Sequence, residues 1–268
     1  MKSKNLNPIV EEVLDTFDAI KNTTKNFITN KEAAQKGKLI VGDAGMGKTT
    51  ACQNGIIECN YTQNVEYVKG SNLTAPSAYV KFYLNRGKER IIVLDDVDII
   101  HKGPKDRSDI IEMIKAATEP TTKERWLGWE RANDNTLMKE YNVPRKFKFE
   151  GRLIWITNNT MAEIQKATKS DFFPLMSRLN PIQAIFSKEQ KLMYTKYLIE
   201  DESMLGKNCD GKKGGYSKDI QKKTLEYLNA NYRALREITP RVSLLIADTI
   251  YCNPQNWKKM LDSNMLGF

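Results

Sequence analysis

Lys38-Leu39-Ile40-Val41-Gly42-Asp43-Ala44-Gly45-Met46-Gly47-Lys48-Thr49-Thr50 is the stretch on which the reading of the chain turns. A short apolar run ends at a glycine, and Gly42–Thr49 then matches GxxxxGK[ST], the pattern of a phosphate-binding loop. The apolar run reads as a buried strand, and Thr49–Glu58 reads as a helix. That strand-loop-helix context is the one in which the pattern works. Glycines let successive N–H groups converge on phosphate oxygens, and the helix N-terminus adds about half a unit of positive charge there. In such a loop Lys48 reaches the β- and γ-phosphates and the Thr49 hydroxyl binds Mg²⁺.

A metal held this way needs a second anchor. Ile91-Ile92-Val93-Leu94-Asp95-Asp96 supplies it, because a buried strand delivers two carboxylates at its C-terminal end. Ligands of open α/β sheets bind at those ends. Asp95 is expected to hold Mg²⁺ through its water shell, Asp96 to orient and polarise an attacking water, and Asp98 to be structural.

Outward from these motifs, further strand-like runs are Val65–Val68, Leu153–Thr157 and Ile182–Phe186. Pro76–Asn85 and Ser108–Thr118 have helical spacing between them. Strands alternating with helices predict a parallel sheet with helices on its faces. Pro8–Ile20 reads as an amphipathic helix and Lys21–Gly37 as a polar connector. After about Ser187 strands give way to helices at Lys188–Ile199, Lys218–Asn229 and Pro240–Tyr251, with a Gly- and Lys-rich mobile loop at Leu205–Ser217. The expected division is an α/β core over 1–186 and a small helical domain with a tail over 187–268.

The chain has 268 residues, long enough to bury a core, and its 40% apolar and 28% charged residues are an ordinary globular mixture. The apolar run at Ile91–Ile100 is interrupted by Asp95, Asp96 and Asp98, so nothing approaches the roughly 20 apolar residues of a membrane span. The N-terminal residues carry no apolar secretory region. Four cysteines (Cys52, Cys59, Cys209, Cys252) without a CxxC fit reduced thiols in a cytoplasm. The single histidine, His101, excludes multi-His metal sites and argues against a Ser-His-Asp hydrolase. Lys and Arg number 42 against 33 Asp and Glu, a net charge of +9 that permits a polyanionic partner such as nucleic acid.

With these motifs in this order, the chain resembles the AAA+ ATPases over most of its length. The resemblance implies a five-stranded parallel sheet sandwiched by helices, followed by an α-helical lid. It implies ATP and Mg²⁺ as ligands, with Gly42, Asp43, Ala44, Gly45, Met46, Gly47, Lys48, Thr49 and Thr50 around the nucleotide and Thr49 and Asp95 on the metal. The fourth strand of that family ends in a polar sensor. Here Leu153-Ile154-Trp155-Ile156-Thr157-Asn158-Asn159 offers Asn158, with Asn159 as rival. An arginine finger precedes the family's fifth strand, and Arg178, at the end of Phe173–Leu179, stands there. Supplied in trans, it implies a ring or partial-ring homo-oligomer, on the family pattern a hexamer. The lid's sensor 2 arginine falls on Arg241 in the helix start Thr239-Pro240-Arg241, with Arg236 and Arg233 as competitors.

Two departures stand out. The second acid after the strand is Asp96, where the family usually has Glu, a form similar to helicase loaders. Lys69-Gly70-Ser71-Asn72 lacks the aromatic pore loop of protein unfoldases. Pro120–Glu150 instead alternates Trp126, Trp129, Phe147 and Phe149 with Lys123, Arg125, Arg131, Arg145, Lys146 and Lys148. Its strand-like pieces Arg125–Glu130 and Lys146–Phe149 predict an inserted hairpin that could meet nucleic-acid phosphates. His101, Lys102, Lys105 and Arg107 are a second candidate basic surface. The compact chain resembles phage or viral members, so the expected setting is a host cytoplasm, and the expected partners are DNA and a replication or packaging protein.

Overall fold

The computed structural model describes residues 6–70, 73–131, 136–206 and 215–266. Cys209, Ser71, Asn72 and most of the Gly- and Lys-rich loop lie outside the described residues. In chain order the elements are α1 (Pro8–Thr29), β1 (Gly37–Gly42), α2 (Lys48–Glu58), β2 (Val65–Lys69), α3 (Ala75–Leu84), β3 (Ile91–Asp95) and α4 (Pro104–Thr118). There follow β4 (Trp126–Gly128), α5 (Thr136–Glu140), β5 (Lys146–Lys148), β6 (Arg152–Thr157), α6 (Met161–Thr168), α7 (Phe172–Leu179) and β7 (Pro181–Ala184). The last four are α8 (Lys188–Glu200), α9 (Lys218–Asn231), α10 (Pro240–Cys252) and α11 (Trp257–Met265).

The chain divides into two compact units. One comprises Ala19–Gly42 and Lys48–Ala184; the other comprises the chain up to Asp18, Asp43–Gly47 and the chain from Ile185 on. The first is a five-stranded parallel sheet in the order β2-β3-β6-β1-β7 with helices packed on it. Every residue of β1, β3 and β6 is buried, as strands covered on both faces must be, whereas the edge strands β2 and β7 are only partly so. Leu39, Val41, Ile92, Leu94, Leu153 and Trp155 lie in its core with Tyr79 and Phe82 of α3 and Ile110 and Ile114 of α4. This is the α/β parallel sheet with helices on its faces that the alternation of elements predicts, with the five strands that the resemblance implies.

Several boundaries differ from the expectation; α4, for one, starts at Pro104 and not at Ser108. β7 ends at Ala184, two residues early. Of the expected connector Lys21–Gly37 only 30–36 is one, because β1 starts at Gly37 and α1 runs on to Thr29. Its last turn has no basic residue of its own. Arg152, at the start of β6, donates from Nη1 to the carbonyls of Phe27 and Ile28 and so supplies the missing cation at the helix C-terminus.

The second unit is helical. Leu192, Ile199, Leu228, Leu235, Ile246, Ile250 and Leu261 make its core, and Trp257 packs edge-on against Tyr227. Ser187 and Gln190 form a capping box at the start of α8. Thr239 caps α10, with Pro240 in the first turn.

Candidate functional site

β1, β3 and β6 are neighbours and parallel, so their C-terminal ends bring three sequence motifs together. Lys48 opens α2, directly after the glycine loop. Its Nζ donates to the carbonyl of Gly42 at 2.8 Å and to Oδ1 of Asn158, just past β6, at 2.8 Å. Asn158 Nδ2 donates in turn to Oδ1 of Asp96 at 2.7 Å. The Thr49 hydroxyl donates to Oδ1 of Asp95 at 2.7 Å. Lys48 is only 5% exposed and Asp95 only 7%, so both are charged groups held largely away from water. A buried charge needs partners of this kind.

Asp96 stands in the left-handed region with φ 55°, and its N–H donates to the carbonyl of Ile156 at 3.0 Å. The backbone thus turns sharply after β3 and leaves the Asp96 carboxylate against the amide of Asn158. Asn159 has a different place: its N–H donates to Thr157 Oγ1 at 3.1 Å. Of the two rivals, Asn158 is the one that meets both Lys48 and Asp96.

One neighbour of the site was not singled out in the sequence. Lys69, at the end of β2, is in register with Asp95 and places its Nζ 3.8 Å from Asp95 Oδ2. The signal was available as strand pairing: two parallel strands ending together bring Lys69 beside the first aspartate. Among the described residues no cluster of three or more His, Cys, Asp or Glu could hold a metal by itself. The Thr49 hydroxyl and Asp95 carboxylate are instead a sparse, hard-oxygen pair. That donor set fits Mg²⁺, which keeps several waters and takes its remaining ligands from substrate phosphates.

Within the helical unit the loop residues have their own supports. Asp43 accepts from the Phe186 N–H at 2.9 Å and pairs with Lys191 Nζ at 3.0 Å. Gly45 (φ 68°) and Gly47 (φ 117°) take backbone conformations that side chains resist. Gly45 lies against Thr239, the cap of α10, and Gly47 against Phe17 and Tyr194. Ala44 is half-buried and Met46 buried. Arg241 is exposed in the first turn of α10, two residues beyond the Thr239 that touches Gly45. Arg233 donates to the Tyr232 hydroxyl at 3.0 Å, and Arg236 is exposed. Thr50 is exposed on α2.

Arg178 does not join the Lys48 cluster of its own chain. It lies near the start of β7, in a cavity lined by Gln35, Pro120 and Pro181. Its Nε donates to Glu119 Oε2 at 2.9 Å, Nη2 reaches the same oxygen, and Nη1 donates to the carbonyl of Pro174 at 2.7 Å.

The expected hairpin exists: β4 and β5 pair antiparallel with Leu127 opposite Phe147. Three of its four aromatic residues turn inward, however. Trp129, Phe147 and Phe149 are buried in the core, with Tyr79 between Trp129 and Phe147 at ring distances of 5.4 and 5.0 Å. Arg125 turns inward to the carbonyls of Ala117 and Gly151. Arg131 pairs with Asp109 and Asp106, and Lys148 with Glu124 and Glu150. Trp126 alone of the four aromatics is exposed, and it lies under Lys146. Of the second basic group, His101 pairs with Asp98 at 2.8 Å and Arg107 donates to the Ile100 carbonyl at 3.0 Å. No helix among the described residues is long and apolar enough to cross a membrane.

Comparison with known proteins does not assign the chain to a family. No protein-family model matches the chain. The chain is 25% identical over 264 residues to an uncharacterized 36.7 kDa protein of the nrdC-mobD intergenic region of Enterobacteria phage T4, covering 94% of this chain and 77% of that protein. Similar solved structures include the AAA domain of FIGL-1 (12% identity, 91% of this chain and 74% of that one, TM-score 0.42). They also include NtrX from Brucella abortus in complex with ADP (13% identity, 85% of this chain and 50% of that one, TM-score 0.43).

Proposed function

We propose that this chain is an AAA+-type ATPase that binds Mg·ATP and hydrolyses it at the boundary between subunits. The observation that carries the reading is the pair of hydrogen-bond chains at the strand ends: Lys48–Asn158–Asp96 and Thr49–Asp95. Lys48 neutralises charge on the β- and γ-phosphates, and Gly42–Thr49, with Thr50, surrounds them. Mg²⁺, held by Thr49 and Asp95, would neutralise phosphate charge. Asp96 accepts a proton from the water that attacks the γ-phosphorus, and Asn158 positions that water against Asp96. Arg178 acts on the nucleotide of a neighbouring subunit, so assembly into a ring or partial ring, such as a hexamer, is part of the mechanism. Arg241 is the sensor 2 residue.

The work coupled to hydrolysis is the remodelling of DNA or of a DNA-bound protein complex, in a replication or packaging setting inside a phage-infected host's cytoplasm. The net charge of +9 and the likeness to a phage T4 protein support this. A second reading, remodelling of a protein partner without nucleic acid, draws on the packing of the β4–β5 hairpin into the core. ATP turnover measured with and without single- and double-stranded DNA separates the two. Stimulation by either DNA supports the first reading; turnover indifferent to both overturns it in favour of the second. Calorimetry that detects no nucleotide binding would refute both.

A further inference from the structure

At the opposite ends of the same strands lies a cavity of about 510 Å³. Lys36 enters it from just before β1, Arg152 from the start of β6, and Arg125 and Lys123 from the segment after α4. That volume falls within the roughly 300–1,000 Å³ of small-molecule sites. The cavity has acidic residues too, but they are engaged. Glu32 pairs with Lys88 at 2.9 Å, Glu150 with Lys148 at 3.3 Å, and Glu119 with Arg178.

What remains, among the described residues, is a set of cations that no carboxylate pairs. Arg125 (8% exposed) donates only to backbone carbonyls, those of Ala117 and Gly151. Arg152 (2% exposed) donates to the carbonyls of Phe27 and Ile28 and to the Tyr61 hydroxyl, and its buried Nε has no partner among the described residues. Lys36 donates to the carbonyl of Lys31 at 2.9 Å. These groups feel one another. Burial, and then the charges of Arg125 and Arg152, hold the Lys36 ammonium below its ordinary range. Arg125 is pushed down to about 10 by burial, with Arg152 adding to the effect against the pull of Glu150. Like charges gathered and desolvated are costly to the fold, and a bound dianion relieves that cost.

We propose that this cavity is a binding site for a di- or polyphosphate, either free or carried on a nucleoside, separate from the Lys48 loop. Arg125 and Lys36 bind the phosphate oxygens, Arg152 contributes charge from behind, and Lys123 stands at the exposed mouth. A longer polyanion such as a DNA strand shares the charge, but the burial of Arg125 and Arg152 favours a ligand small enough to reach them. The inference does not depend on the ATPase reading, since it uses none of that site's residues.

Calorimetric titration with inorganic pyrophosphate tests it, using the Lys48→Ala protein so that the phosphate loop contributes least. Binding is expected, weakening as salt rises. Adding Lys36→Gln should weaken it about tenfold, the loss expected for one charge-assisted hydrogen bond. Lys123→Gln, a change at an exposed position, should weaken it less. ADP titrated into the same Lys48→Ala protein identifies the source: tighter binding than pyrophosphate assigns a nucleoside-borne ligand, and equal or weaker binding a free one. Lys36→Gln on its own should leave ATP turnover unchanged, which separates this site from the loop. The absence of pyrophosphate binding at millimolar concentration would overturn the proposal, as would binding indifferent to Lys36. So would a thymidine oligonucleotide whose binding needs Lys36 while pyrophosphate does not bind.

Discussion

Lys48 and Arg152 are both cations buried in the sheet unit, one at the C-terminal ends of the strands and one at the N-terminal ends. Their partners differ in kind. Two bonds of Lys48 go to the loop carbonyl of Gly42 and to the side chain of Asn158, which itself holds Asp96. Arg152 donates to the last-turn carbonyls of α1, 124 and 125 residues away in sequence, while its guanidinium lies over the rings of Phe27 and Tyr61. The first cation is bound to groups proposed above to serve the nucleotide site, the second to groups that would otherwise be orphaned by folding. Burial alone therefore does not distinguish a functional charge from a structural one; the identity of the bonded partners does.

The contrast predicts which changes affect turnover and which affect the fold. The largest effect is expected at Arg178, which lies near the N-terminal end of β7 and is proposed to reach a neighbouring subunit. Arg178→Ala should lower ATP turnover by about a thousandfold or more while sparing ATP affinity, the range of a trans-acting arginine. An unchanged turnover number would remove it from the mechanism and leave it a partner of Glu119 only. Lys48→Ala comes next. Losing two charge-assisted contacts to phosphate costs about 4 kcal/mol, near a thousandfold in ATP affinity by calorimetry. Its unfolding midpoint in urea should move less than that of any Arg152 variant.

Arg152→Met should do the reverse. It keeps much of the side-chain volume but leaves the Phe27 and Ile28 carbonyls and the Tyr61 hydroxyl without their donor. A loss of about 3 kcal/mol in unfolding free energy is expected from urea titration. If that variant unfolds like the parent, Arg152 is not the cap of α1, and the partner rule drawn from the comparison fails.

Arg152 also marks where the sequence stops being legible. The glycine loop, the two aspartates and Asn158 could be read locally, because each sits at the end of an apolar run whose type is plain. So could the start of α10, where Thr239 and Pro240 announce the cap. The length of α1 could not. Lys21–Thr29 is polar, with Phe27 and Ile28 its only large apolar residues, and its last-turn carbonyls are met by a guanidinium from β6. The hairpin misled for a related reason. Alternating aromatic and basic residues describe an exposed platform and a strand packed on a core equally well. The choice is made by Tyr79 and Tyr83 on α3, whose rings lie against Phe147. The engagement of Arg178 by Glu119 has the same character: both residues are visible, but their meeting depends on tertiary packing.

Asp96 carries the smallest effect and the finest test. The family it resembles usually has Glu here, and the backbone gives a physical reason for Asp. At φ 55° a residue with a long side chain pays roughly 1–2 kcal/mol, whereas Asp and Asn visit this region with less penalty. Asp96→Glu should therefore cost about 1 kcal/mol of unfolding free energy. Asp96→Asn should cost much less, because its amide oxygen can still accept from Asn158 and its backbone preference is kept. Urea titration of the two variants side by side decides the matter. Equal losses would mean that removing the Asp96 carboxylate from its hydrogen bond matters more than the turn, and the backbone would no longer explain why the shorter acid stands at the end of β3.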